Sequence, residues 1–226
     1  MFFASLTGFL AGIVHVFAGP DHIAAVAPFA VQQRKKTWIT GLYWGIGHSS
    51  GVWIIGILVF LLREALPVEL ISSWSERLVG IMLIGIGLWG IRRAMHNRLH
   101  YHRHTHDGVE HSHFHLHQAG EKAHREGAHR HSHVPMGIGL IHGLAGSSHL
   151  LGILPALLLS TRAASVAYVI GFGLGSIAAM SGFSWLLGAV AARLGAKSAQ
   201  LYNQLAMGFA ALAVGVGFVW LWISMA

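Results

Sequence analysis

Apolar residues in this chain are clustered. They come in long runs, at about Phe2–Ala30, Trp38–Leu62, Trp74–Ile91, Pro135–Leu159, Ala164–Ala192 and Tyr202–Met225. Each is near the roughly 20 residues that a helix needs to cross the hydrocarbon core of a bilayer. The pattern therefore predicts six transmembrane helices. It changes sharply between the third run and the fourth, where 13 histidines fall between His96 and His133. That stretch is polar and lacks the apolar content to bury a core, so it is expected to be a flexible loop. The chain divides accordingly into a first three-span repeat (1–95), a His-rich loop (96–134) and a second three-span repeat (135–226).

The two outer parts resemble each other in detail. His15-Val-Phe-Ala-Gly-Pro-Asp21-His22 reappears as His142-Gly-Leu-Ala-Gly-Ser-Ser148-His149, 127 positions later (142 − 15, 149 − 22). At the same offset Ala18 matches Ala145, Gly19 matches Gly146 and Pro28 matches Pro155, while Asp21 is replaced by Ser148. Proline lacks an N–H and clashes with the preceding turn, so Gly19-Pro20 is expected to break the first helix. In the next span, Gly45-Ile-Gly47-His48-Ser49-Ser50 is echoed by Gly171-Phe-Gly173-Leu-Gly175-Ser176, with Leu174 read at the place of His48. Each repeat has an odd number of spans, so the second must be inverted in the membrane, a recurring transporter plan. The expected fold is an all-α membrane protein: six transmembrane helices as two inverted three-helix repeats with broken first helices.

Composition agrees with this reading. The chain is 54% hydrophobic and 10% charged, with mean hydropathy +0.58, against roughly 25% charged residues in soluble domains. A net charge of +7 would suit nucleic acid, but the placement of the cations argues against that partner and for membrane lipid. With the termini outside, the inner connections carry Arg34 to Lys36, the seven Lys and Arg from Arg92 to Arg130, and Arg193 with Lys197; the outer ones carry Arg63, Arg77 and Arg162. Twelve cations against three predict a cytoplasmic His-rich loop. The start of the chain lacks a basic n-region, so no cleavable signal is expected. Without cysteine there are no disulfides and no thiolate ligands.

Ionisable groups at bilayer depth are costly and mark functional sites by default. The candidates for a metal site are His15, Asp21, His22 and His48 from one repeat and His142 and His149 from the other, since imidazole suits nickel, cobalt, zinc and copper. Asp21 offsets part of a dication's charge, fixes the His22 tautomer or exchanges a proton. Ser49, Ser50, Ser148 and Asn203 are candidate supporting or pathway groups. His15 and His22 in a straight helix would share a face but stand about 10 Å apart along the axis. They form one site if the Gly-Pro break folds them together, and successive stations if it does not. Metal capture by the loop would fall to His100, His102, His104, His106, His111, His113, His115, His117, His129, His131 and His133, since His-rich tracts bind divalent metals.

At these motifs the chain resembles the nickel/cobalt transporter superfamily, in its short six-span, urease-associated branch. The resemblance rests on His15…Asp21-His22-Ile-Ala-Ala, on Trp44-Gly-Ile-Gly47-His48-Ser49-Ser50-Gly51 and on Leu140-Ile-His142-Gly…Ser148-His149. It implies transport of Ni²⁺ or Co²⁺ across a bacterial inner membrane, no organic cofactor, and nickel-enzyme maturation proteins as partners. The family usually places four residues between its first His and Asp-His; this chain has five, with Gly19 where an Asp is usual. The urease-associated branch implies uptake, and efflux is the alternative. No phosphate-binding Gly-x4-Gly-Lys motif appears, so energy would come from an ion gradient, the membrane potential, downhill flow or a separate subunit. An intramembrane serine protease would need a histidine base near Gly146-Ser147-Ser148, and the last span has none. A membrane-tethered metal buffer would leave the intramembrane histidines unused.

Overall fold

The computed structural model describes residues 1–33, 36–62, 68–96, 99–106, 109–116, 133–145 and 152–225. Helix α1 (Phe2–Ala18) ends where Gly19 takes an extended conformation, φ −90° and ψ 105°. Pro20 then opens α2 (Pro20–Gln32) at its first position, where a missing N–H costs nothing and the fixed φ suits a helix start. The two helices are bent by 76°. α3 (Thr37–Leu62) and α4 (Val68–His96) complete the first part. The second part holds α5 (Val134–Ala145), a 3₁₀ turn (Leu154–Leu158), α6 (Arg162–Lys197) and α7 (Ala199–Ile223). Thr161 caps α6 by accepting from the Ala164 N–H, and Ser198 caps α7 by accepting from Gln200 and Leu201, each satisfying donors that a helix start leaves open.

Among the described residues, three helices are long and apolar enough to cross a membrane, Trp74–His96, Arg162–Lys197 and Ala199–Ile223, and the bent α1–α2 pair makes a fourth if it is one span. The chain is a multi-pass membrane protein. Its outward faces carry Phe3, Val14, Trp185, Phe218 and Trp222, all exposed, as surfaces in contact with acyl chains are. The bundle is wholly helical.

Between α4 and α5 the expected flexible loop is in part a two-stranded antiparallel ribbon. β1 (Leu99–His106) pairs with β2 (Val109–Leu116), placing position 100 opposite 115, 102 opposite 113 and 104 opposite 111. Histidine at every second position is a two-residue period, which an extended chain accommodates. His117, His129 and His131 lie outside the described residues.

Close backbone contact holds the bundle together. A Cβ added at Gly8 or Gly12 of α1 would land on the carbonyl oxygens of Tyr168 and Phe172 in α6, and one at Gly171 or Gly175 would land on those of Ser5 and Phe9. The same reciprocal arrangement joins α3 to α5: Gly47 faces the Met136 carbonyl, Gly139 that of Trp44, and Gly143 that of His48. In both pairs the partners rise together along the chain, so the helices run parallel. α3 and α6 run antiparallel, since Gly45 meets Ile177 while Ser49 donates to the Gly173 carbonyl at 3.1 Å and Trp53 to that of Val169 at 3.3 Å. It follows that α1 and α5 point in opposite directions. α4 and α7 also run antiparallel, with Gly80 and Gly217 each facing the other's carbonyl.

These contacts recur at constant spacing. Gly12 and Gly139, like Phe9 and Met136, are 127 apart, and their partners Trp44 and Phe172, or Gly47 and Gly175, are 128 apart (172 − 44, 175 − 47). By that register the counterpart of His48 is Ser176, not the expected Leu174. Leu174 is exposed, whereas Ser176 is buried and donates to the Phe172 carbonyl at 2.9 Å. Glycine spacing in the sequence aligns equally well either way, and only the helix contact separates the two.

α2 is the most enclosed element. Nine of its 13 residues are buried, and it packs against α3, α4, α6 and α7. Ala24, Ala25, Ala27 and Ala30 are wholly buried, the small residues that allow close approach between membrane helices. Gly12→Ala and Gly143→Ala are each expected to destabilise the detergent-solubilised protein by about 1–3 kcal/mol through overpacking. Gly182→Ala, where a Cβ meets nothing within 4 Å, is expected to be neutral or stabilising by up to about 1 kcal/mol from helix propensity. Thermal unfolding of the three variants checks the contrast.

Candidate metal centre

Four imidazoles converge where α1, α2, α3 and α5 meet. The Gly-Pro break folds α2 back so that the His15 and His22 ring centroids lie 4.6 Å apart, well inside the spacing a straight helix would impose. Gly19 makes the fold-back possible, because a side chain there would collide with His22 Nδ1 and come within 2.7 Å of Asp21 Oδ1. His48 and His142 are delivered by the α3–α5 contact, each lying beside a glycine of that interface, with their rings 5.7 Å apart. His22 sits at the centre, 4.9 Å from the rings of both His48 and His142.

Asp21 ties the group together. Its Oδ1 is 3.1 Å from His22 Nδ1 and its Oδ2 is 3.3 Å from His142 Nε2. Asp21, His22, His48 and His142 are all buried, while His15 is only partly so. A carboxylate oriented by two imidazoles, at such depth, is a polar group whose desolvation is offset by its partners. Two sets of side chains have geometry for a metal ion: His15, His22 and His48, and Asp21, His22 and His142, with ligand atoms in each set within 4.8 Å of one another.

The other expected site residues stand elsewhere. Ser49 is buried and donates to the Gly173 carbonyl, joining α3 to α6, and Ser50 donates to the Ile46 carbonyl of its own helix at 2.8 Å. Asn203 is exposed on α7, so it is not gathered with the buried rings; its neighbour Tyr202 is the residue turned inward, donating to the Val31 carbonyl at 3.2 Å. Ser148 and His149 lie outside the described residues. His133 precedes α5, with its ring 5.9 Å from that of Tyr43.

Two aromatic residues not singled out from the sequence line the cluster. Phe172 of α6 lies 5.2 Å from the His15 ring, and the fully buried Trp44 of α3 lies 6.0 Å from that of His142. Behind Trp44 the rings of Phe29 and Trp89 follow at 6.3 and 4.8 Å. The sequence carried no clear signal for them, since the pairing of Trp44 with Gly139 and of Phe172 with Gly12 appears only in the helix contacts.

Comparison with known proteins bears on the family. The model of the cytochrome c biogenesis protein transmembrane region matches residues 3–219. A urease accessory protein, UreH, of Bacillus sp. strain TB-90 is 31% identical over 225 residues, covering 94% of this chain and 89% of the relative. A chloroplast protein "for growth and fertility" of Arabidopsis thaliana is 31% identical over 212 residues, covering 93% of this chain and 54% of that one, so the chain spans about half the length of this relative. A Methanocaldococcus jannaschii protein, provisionally named a nickel/cobalt efflux system, is 27% identical over 99 residues, 42% of this chain and 46% of its own. No solved structure matches. The chain thus belongs to the family of that transmembrane region and to the UreH-like nickel/cobalt transporter family.

Proposed function

We propose that the protein carries Ni²⁺ or Co²⁺ across a bacterial inner membrane through the His15–Asp21–His22–His48–His142 cluster. The observation that carries this reading is the convergence of four imidazoles and one carboxylate, from four helices, at the centre of a membrane bundle. Nitrogen-rich donor sets select transition metals over magnesium and calcium, and buried polar groups of this kind mark ion pathways. The names of two relatives, a urease accessory protein and a nickel/cobalt efflux system, support the same metals and link to nickel-enzyme maturation. The family description speaks of cytochrome c biogenesis. A chain without cysteine has no thiol of its own to exchange, which favours the histidine chemistry. We read the protein as a carrier and not an enzyme.

The architecture that suits this role has six spans in two inverted repeats. The opposite directions of α1 and α5 and the recurring 127- and 128-residue registers support it. The cation count places both termini outside and the His-rich segment in the cytoplasm. Uptake is the favoured direction, because an inward dication gains about 4.6 kcal/mol per 100 mV of inside-negative potential, twice the value for a single charge. The efflux reading draws on the archaeal relative's name and on the His-rich segment. We read that segment, whose strands pair position 100 with 115, 102 with 113 and 104 with 111, as a metal-capture element.

Nickel accumulation in cells making this chain is expected to exceed the empty control, to fall to control in Asp21→Ala/His22→Ala, and to survive deletion of residues 96–133. Accumulation below control, still dependent on Asp21 and His22, identifies an exporter. Indifference to the double substitution refutes the cluster as the path. Gly19→Ala is expected to lower transport at least tenfold while leaving the protein folded, since it displaces Asp21 and His22 alone. Transport at the parent rate, with a monodisperse elution profile, would show that the fold-back over Gly19 is not required.

A further inference from the structure

We propose that the cluster is not one metal site but two overlapping three-ligand stations that share His22 and hold a single ion in turn. This rests on the reading of the protein as a nickel or cobalt carrier. One station is His15, His22 and His48; the other is Asp21, His22 and His142. Within each, the ligand atoms lie within 4.8 Å of one another, little more than the about 4.2 Å spanned by two metal–imidazole bonds of about 2.1 Å. The residues do not close into one larger set: His15 and His48 group with His22, Asp21 and His142 group with His22, and His22 alone belongs to both.

The ring of His22 is built for this position. It stands 4.6 Å from His15, 4.9 Å from His48 and 4.9 Å from His142, and an imidazole carries its two nitrogens at separate points of the ring. Nδ1 lies 3.1 Å from the Asp21 carboxylate, on the side of the second station. Two dications on one neutral imidazole would repel strongly at this separation, with a single carboxylate to offset four positive charges. One ion occupies the pair at a time.

The stations differ in chemistry and in depth. The first is all nitrogen, carries no formal charge and includes His15, the one partly exposed ring of the four. The second adds a carboxylate oxygen and one negative charge, and is buried, with Trp44 against His142. An ion arriving past His15 is first held by neutral imidazoles, then drawn to the charged station as His22 exchanges partners. The repeats thereby serve different purposes: the partner of Asp21 in the second repeat is Ser148 and that of His48 is Ser176, and neither supplies a charge or an imidazole.

The test is Ni²⁺ binding and transport by the full-length protein in which the histidines from 100 to 133 are replaced by serine, so that only the membrane cluster is counted. Equilibrium dialysis is expected to find one ion per chain in this parent and none in His22→Ala. His48→Ala and His142→Ala are each expected to keep one ion, and X-ray absorption should then count two imidazoles in the first and three in the second. Both should lose transport into vesicles at least tenfold, because the ion has nowhere to pass. His48→Gln with a monodisperse elution profile guards against misfolding. Two ions in the parent, loss of binding in both single variants, or parent-like transport in either would overturn the shared-station proposal while leaving a nickel carrier in place. An ion retained by His22→Ala, with no nickel flux in the parent, would overturn the carrier reading itself.

Discussion

Lipid tails are as apolar as leucine, so helices in a bilayer gain no hydrophobic driving force from meeting each other. What remains is the closeness of approach, and this protein obtains it by bringing backbone against backbone at glycine. Gly8 and Gly12 lie against Tyr168 and Phe172, Gly171 and Gly175 against Ser5 and Phe9, and Gly47, Gly139 and Gly143 complete the equivalent contact between α3 and α5. At such approach Cα–H groups face carbonyl oxygens, a weak attraction repeated many times. Everything else about the centre of the molecule depends on these contacts, because they set which residues of neighbouring helices share a depth.

The convergence of the buried imidazoles is a direct product. His48 is the neighbour of Gly47 and His142 the neighbour of Gly143, so the glycines that permit the α3–α5 contact also deliver the two rings to each other. On the other side the α1–α6 contact lays Phe172 against His15. Irregular backbone within a membrane is tolerated where it is enclosed by protein or lines a polar cavity. The extended residue Gly19 meets that condition, since the α2 helix it begins is surrounded by four others.

Near-symmetry in the scaffold and asymmetry in the chemistry coexist. The frame repeats with constant spacing, yet His48 answers to Ser176 and Asp21 to Ser148. The negative charge lies in one repeat, while the other contributes His142, and its Ser176 hydroxyl donates to backbone carbonyls.

The sequence by itself determined the number and extent of the apolar segments, the break at Gly19-Pro20, the internal repeat and the identity of the polar residues at depth. These are properties of local composition and of backbone chemistry, which act without reference to the rest of the chain. Whether His15 and His22 meet was undecided, since a straight helix parts them by about 10 Å and the bend angle is set by the helices that enclose α2. The same holds for the place of Ser176, because a one-dimensional alignment of glycines slides by two residues at little cost, whereas interlocked backbones admit one register. Ser49 and Asn203 looked eligible for the site as polar residues in apolar surroundings. Their directions, one toward a neighbouring carbonyl and the other outward, depend on which face of each helix the packing turns inward, and that only the tertiary structure decides.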